Sequence, residues 1–565
     1  MRYLHVLSIC LLTGLLSCQT GPTQTFDVLI TNGTVYDGTG EAGIQTDVWI
    51  NEDTIAKIGK VKGATATTII DAKGMAVSPG FINMLSWATE SLIEDGKSQS
   101  DIRQGVTLEV MGEGNSMGPV TEERKLAWMK AQGDIKYDIK WNTLGEYLEY
   151  LENRGVSTNV ASFIGAATPR VNVIGFEDRA PTEEELKEMQ EQVRVAMEEG
   201  AMGVGSALIY TPGFFAKTDE LIALCKVAAE YDGLYTSHLR SEGNNILSAL
   251  NEFLTIAKEA GIRSEVYHLK AAGKENWRKL DEVVAKIDSA RKAGLTITTD
   301  MYNYTAGATG LDAAMPPWVQ EGGLGKWISR LQDPAVRKRV AAEMKQEGED
   351  WENLYYASGS AEKLLLVGFK NPNLKKYTGK TLAEVAAERG TSPEETAMDL
   401  VIEDKSRIGT VYFLMSEENV KKKIQLPWMS FCSDAGSLAP EGNFLKSNPH
   451  PRAYGNFARL LGKYVRDEQV IPMEEAIYKL SGLPASNLKL KKRGLLQEGY
   501  FADIVIFDPA TIQDHATFDD PHQYATGVMH VFVNGRQVLK DGEHTGVKSG
   551  RVVRGPGWNG WSEEN

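Results

Sequence analysis

Eight short apolar runs, each set ahead of a helix-patterned stretch, constrain the fold of this chain more than any other feature. They read GFINML at 80–85, VTLEVMG at 106–112, VASFIGA at 160–166, AMGVGSA at 201–207, GLYTSH at 233–238, SEVYHL at 264–269, LTITTD at 295–300 and PWMSFCSD at 427–434. Continuous apolar strands alternating with helices such as TEEELKEMQEQVRVAMEEG predict a parallel sheet covered on both faces, because crossover helices bury it. Eight such units are the number that closes a TIM (β/α)8 barrel. From His238 to His268 to Asp300 the interval is about thirty residues each time, close to one βα unit. The stretch 302–428, between the seventh and eighth strands, exceeds what a connection needs and predicts an insertion that forms a lid and extra helices.

Both ends of the chain pattern differently. Residues 26–78 alternate short β-rich runs with Gly, Asn and Asp turns (FDVLITNGTVYDGTG, DVWINEDTIAKIGK), and 486–565 repeats the style in GYFADIVIFDPATI and HVFVNGRQVLKDGE. We expect the two ends to combine into one small β-sandwich beside a barrel domain at 79–485. A chain of 565 residues with 42% hydrophobic and 24% charged residues has material for both. A formal net charge of -15 speaks against a nucleic-acid partner. The short basic runs at 421–423 and 489–493 read as solvated faces.

The N-terminus has the form of a secretory leader: Arg2, an apolar run at 4–16, then Leu-Ser-Cys. Its apolar part is too short to remain as a spanning helix. Cys18 resembles a bacterial lipobox cysteine, which implies a signal peptide at 1–18, a polar tether at 19–25 and a lipid-anchored, periplasm-facing protein whose only membrane contact is that anchor. If Cys18 is not lipidated, the leader reads as an ordinary signal and the product as periplasmic or secreted. Beyond the leader there are only Cys225 and Cys432, so no disulfide framework is expected.

In a barrel of this kind, chemistry sits at the C-terminal ends of the strands. Glu113, His238, His268 and Asp434 close the second, fifth, sixth and eighth strand candidates. A single strand-end histidine is more often a hydrogen-bonded structural residue. Two on adjacent strands can reach one ion, and a Glu113 carboxylate would complete a three-ligand site with an open position for water. The glycines of MGEGNS permit close backbone approach at Glu113, whose other reading is a helix-capping turn carboxylate. Asp434 in FCSDAGS suits a proton shuttle beside such an ion; otherwise it would N-cap the following helix.

These residues lie in motifs that resemble the amidohydrolase superfamily and, within it, the D-aminoacylase (N-acyl-D-amino-acid deacylase) family, over essentially the whole mature length. The match runs through GTVYDGTG, VSPGFI, QGVTLEVMGEG, GAMGVGSALIYTPG, TSHLRSEG, YHLKAAG, TTDMYNYTAG, SDAGS, HPRAYGNFARLLGKYVR and GYFADIVIFDP. The resemblance implies that His238 and His268 are metal ligands, that Asp434 is the catalytic acid/base, and that Arg452 pairs with a substrate α-carboxylate. It places Tyr210 and Lys270 against the carbonyl and carboxylate ends of the substrate. Two departures stand out. The family's His-x-His is Leu85-Ser86-Trp87 here, and its metal-binding cysteine falls in the Gly112-Glu113-Gly114 region. Some bacterial N-acetylglucosamine-6-phosphate deacetylases of the superfamily also lack His-x-His and use one metal held by a glutamate and two histidines. By that likeness we expect one divalent ion, Zn²⁺, on Glu113, His238 and His268, with Leu85 and Trp87 as pocket walls and a small-molecule amide as substrate. A dipeptidase or cyclic-amide hydrolase, and a barrel retained only as a binding scaffold, stay open on sequence alone.

Overall fold

A computed structural model describes residues 24–562 of the chain; the leader, the tether up to residue 23 and Cys18 lie outside them. The barrel is built from β1 (Phe81–Asn83), β2 (Val106–Met111), β3 (Asn159–Ser162 continued by Ile164–Gly165), β4 (Gly203–Ala207), β5 (Leu234–His238), β6 (Arg263–Val266), β7 (Ile297–Met301) and β8 (Met429–Phe431). All neighbouring pairs from β1 to β8 run parallel. Between β8 and β1 the circle is closed by Met84 N donating to Phe431 O at 3.3 Å and Asp434 N donating to Leu85 O at 2.9 Å. The eight-strand expectation therefore holds, with strands shorter than the apolar runs that announced them. Polar residues that seemed to end strands mostly stand one to three residues beyond them.

Most of the buried apolar surface falls in three large clusters. Val106, Val160, Val204 and Val266 pack outward against helix residues such as Leu148, Val193, Leu224 and Ile256. A second cluster holds Ile82, Leu108, Val110 and Tyr267 inside the barrel and continues into the insertion through Leu311, Trp327, Leu382 and Val401. The third fills a sandwich made by both chain ends, with Val28, Ile30, Ile50 and Val77 against Ile504, Ile506 and Phe532. There, Ala76–Pro79 pairs antiparallel with Ile504–Phe507, so the two ends share one sheet. A second sheet of four strands, around Thr25–Thr31, covers it.

The insertion is more than helices. It contains its own antiparallel sheet, in which Gly409–Phe413 lies between Ala306–Gly310 and Leu364–Gly368. Gly and Thr in those runs weakened the strand signal in the sequence. The basic runs also differ from expectation. Lys423 is buried and donates to Leu269 O at 2.6 Å, and Arg493 is buried against Asp503. Among the described residues no helix is long and apolar enough to cross a membrane.

Sandwich and barrel are joined by a buried polar knot. Asp503 ion-pairs with Arg493 and accepts from Asn534 N at 2.8 Å and from Asn159 Nδ2, at the start of β3, at 3.2 Å. Asn534 Nδ2 returns a bond to Asn159 Oδ1 at 2.8 Å. Removing one partner of such a pair strands a buried charge. Asp503→Ala should destabilise the protein by about 3–5 kcal/mol, measured as a lowered denaturation midpoint in urea.

Candidate active site

Each of three side chains reaches the barrel mouth by a different local device. Glu113 follows β2 between Gly112 (φ +106°) and Gly114 (φ +63°), and a Cβ on Gly112 would lie 2.2 Å from Phe163 O. Only glycine lets the backbone pass there. His238 is the last residue of β5 and stands in register with Ala207 of β4. His268 lies two residues past β6 at φ +35°, an unusual conformation for a residue with a Cβ. Its N–H donates to Asp300 Oδ1 of β7 at 2.5 Å, and Leu269 N donates to Asp300 O. Asp300 thus holds the bend that presents His268; burial pushes its own carboxyl up to about 6.

The three groups converge. Glu113 Oε1 is 3.0 Å from His268 Nε2 and 3.3 Å from His238 Nδ1, and the two ring nitrogens are 2.9 Å apart. Among the described residues this is the cluster able to hold a metal. A tetrahedral ion with ligand bonds of about 2.0–2.1 Å separates its ligands by roughly 3.3 Å. The triangle therefore needs to open by only a few tenths of an ångström, and one carboxylate with two imidazoles is a donor set that zinc favours.

Glu242, four residues after His238, supports the cluster from behind. Its Oε1 accepts from His268 Nδ1 at 3.1 Å and from Lys270 Nζ at 2.5 Å, and its Oε2 is 3.4 Å from His238 Nε2. These contacts place the His268 proton on Nδ1 and turn Nε2 to the triangle, while His238 is oriented the opposite way. Lys270 Nζ also lies 3.0 Å from His268 Nδ1, but both are donors to the same Glu242 oxygen. Burial opposes the charge on Glu242, yet His238, Lys270 and His268 outweigh it and hold the carboxyl well below the usual range. The Glu242 loop is in turn fixed by Glu352 of the insertion, whose Oε2 accepts from Glu242 N and Gly243 N. Around His268, burial and the Lys270 ammonium lower the pKa, but Glu242, Asp434 and Glu113 prevail and raise it to about 10.

Asp434 stands three residues past β8 at φ +48°, on the same cavity as Glu113, His238 and His268. It caps no helix. One carboxylate oxygen accepts from Trp87 Nε1 at 3.1 Å and the other faces Arg452 Nη1 at 2.9 Å. Arg452 is buried, with its guanidinium 4.3 Å from the Tyr302 ring centroid and Nη2 donating to Ala308 O at 3.3 Å. Its Nε has no hydrogen-bond acceptor among the described residues. His450 Nδ1 accepts from Arg452 N and its Nε2 donates to Ala306 O, each at 3.0 Å, which fixes the start of the Arg452 helix. Tyr210 meets the His238 ring edge-on at 5.3 Å between centroids.

All seven barrel residues singled out in the sequence (Glu113, His238, His268, Asp434, Arg452, Tyr210 and Lys270) line one cavity of about 780 Å³. The pairings are less uniform. Lys270 is committed to Glu242, and Arg452 to Asp434. Trp87 lines the cavity, but Leu85 is wholly buried in the barrel interior, so it does not form a wall as expected. Leu85 O takes the Asp434 N–H in the barrel closure, and the register continues outward through Trp87 N donating to Ala435 O at 3.0 Å. Glu242, Glu352 and Asp300 escaped sequence reading. Glu242 had a signal, since His-x-x-x-Glu on one loop can fold back upon the histidine.

The amidohydrolase family pattern matches residues 68–539. A D-aminoacylase from Alcaligenes xylosoxydans xylosoxydans is 32% identical over 94% of this chain and 98% of its own. A solved D-aminoacylase, studied for its binuclear centre with one-metal activation and second-metal attenuation, superposes with TM-score 0.78 at 31% identity, covering 94% of this chain and all of that one. The N-acyl-D-glutamate deacylase of Bordetella bronchiseptica, solved with zinc and a phosphonate mimic of the tetrahedral intermediate, gives TM-score 0.78 at 29% identity over the same shares.

Two outcomes follow from the Glu242 contacts and the raised His268 pKa. Glu242→Gln should weaken metal retention by about 10–100-fold, read by competition with a chromogenic chelator. A protonated His268 must lose its proton to become a ligand, so metal uptake at neutral pH should release about one proton, seen by calorimetry in buffers of different ionisation enthalpy. Affinity should rise with pH up to about 10, where His268 is already neutral.

Proposed function

This chain belongs to the amidohydrolase family and, within it, to the D-aminoacylases, and on that premise we propose that it hydrolyses the amide bond of N-acyl-D-amino acids using one zinc ion. Glu113, His238 and His268 would hold the ion. When bound, it supplies a Lewis acid for the amide carbonyl and acidifies water.

The observation that carries this reading is the pairing of Asp434 with Arg452 beside that triangle. A guanidinium buried over Tyr302 with an unmet Nε donor has the geometry to take a carboxylate through a two-pronged contact. A substrate α-carboxylate arriving there competes with Asp434 for Arg452. Once displaced from Arg452, Asp434 keeps the Trp87 N–H on one oxygen and has the other free to accept the proton of attacking water. It then delivers that proton to the departing amine nitrogen, as a general base that becomes a general acid. Lys270, through Glu242, keeps both imidazoles aimed; Tyr210 bounds the carbonyl side.

One ion suffices in this arrangement. Leu85 and Trp87 bring no donor for a second metal, and Trp87 instead spends its N–H on Asp434. The one-metal activation described for the solved D-aminoacylase is in keeping with this.

Asp434→Asn should cut kcat/KM on N-acetyl-D-amino acids by about 10²–10⁴-fold while zinc content by elemental analysis stays at one per chain. Near-normal turnover by that variant would remove Asp434 from the mechanism. A panel adding D-dipeptides and cyclic amides separates the deacylase from its superfamily neighbours.

A further inference from the structure

Resting on the deacylase reading above, we propose that the acyl group this site accepts is a long aliphatic chain, seated on an apolar wall formed by Phe176 and Leu324. The direction of the substrate follows from barrel order. Arg452 and its neighbours Ala308 and Tyr302 place the carboxylate on the β7–β8 side, and the triangle from β2, β5 and β6 places the scissile carbonyl centrally. In an N-acyl amino acid the acyl chain leaves the carbonyl on the side away from the carboxylate. It therefore runs toward β3 and β4, across the mouth from β7 and β8.

That sector is apolar. Phe176, in the connection after β3, and Leu324, from the insertion, both line the cavity, together with Ala167 and Val171. The two segments are tied by Gly322 N donating to Phe176 O at 3.0 Å, and a Cβ on Gly323 would only just touch the Phe176 ring at 3.5 Å. So the insertion reaches this wall at residues 322–324. Nine large hydrophobic side chains are exposed among the described residues, and three of them, Trp87, Phe176 and Leu324, line this one cavity. Exposed apolar groups concentrated in a binding cleft mark a surface that a ligand covers. Arg124 is the charged side chain on this sector. Its guanidinium is bonded to the neutral acceptors Asn172 Oδ1 at 2.6 Å and Thr168 O at 3.4 Å, which hold the group in place without cancelling its charge.

The test compares acetyl, butanoyl, octanoyl and decanoyl amides of one D-amino acid with the zinc-loaded, full-length protein. Each methylene covered by the wall should raise kcat/KM by up to about fourfold, so octanoyl should exceed acetyl by more than about tenfold. Phe176→Ser with Leu324→Ser should reduce the octanoyl-to-acetyl ratio about tenfold, whereas Phe176→Leu, which keeps an apolar wall, should preserve it. Both residues are well exposed, and a melting curve checks that the double variant folds. Acetyl turnover with no gain on lengthening overturns the acyl subsite and leaves the deacylase reading standing, as does an unchanged ratio in the double variant. Absence of turnover on every chain length overturns both.

Discussion

The Glu242 carboxylate is the contact on which the site depends. Three groups that would otherwise repel or wander converge on it, two imidazoles and the Lys270 ammonium, while Glu352 accepts from the Glu242 backbone N–H. A buried anion with this many partners stays ionised despite its desolvation, and its charge sets the tautomer of His268. The ligand atoms therefore face one point before any ion arrives. Preorganisation of this kind spares binding energy that would go to ordering three side chains.

The barrel supplies the rigidity that the site spends. His268 and Asp434 both occupy the left-handed region without being glycine, a conformation retained only where surrounding structure enforces it. Asp300 enforces the first through the His268 N–H, and the closing bond from Asp434 N to Leu85 O enforces the second. Both constraints come from neighbouring strands, so they persist only while the barrel is closed. The insertion adds a further layer. It contributes Glu352 behind the metal cluster and Leu324 at the mouth, and so links substrate shape to ligand orientation through one segment.

Replacement of His-x-His changes how Asp434 is restrained. At Trp87 the chain presents an indole N–H to the aspartate. One carboxylate oxygen of Asp434 accepts from the Trp87 indole and the other faces the Arg452 guanidinium.

Much of this was legible before any fold was drawn. Eight apolar runs, each ahead of a helical stretch, determine a closed parallel barrel, because crossover helices can cover a parallel sheet on both faces in few ways. Turn-rich ends without helical period determine a separate β layer. Strand-end placement of Glu113, His238, His268 and Asp434 determined the chemistry on offer, since of the eight histidines only His238, His268 and His450 fall in the barrel stretch 79–485. The pairings were decided by tertiary structure alone. Nothing local tells that Lys270 and Arg452 are neutralised by Glu242 and Asp434, that Lys423 and Arg493 are buried, or that Leu85 turns inward while Trp87 faces the cavity. Those outcomes depend on which groups remote segments bring within 3 Å, and a buried charge selects its partner from the whole fold, whereas periodicity reports only on neighbours along the chain.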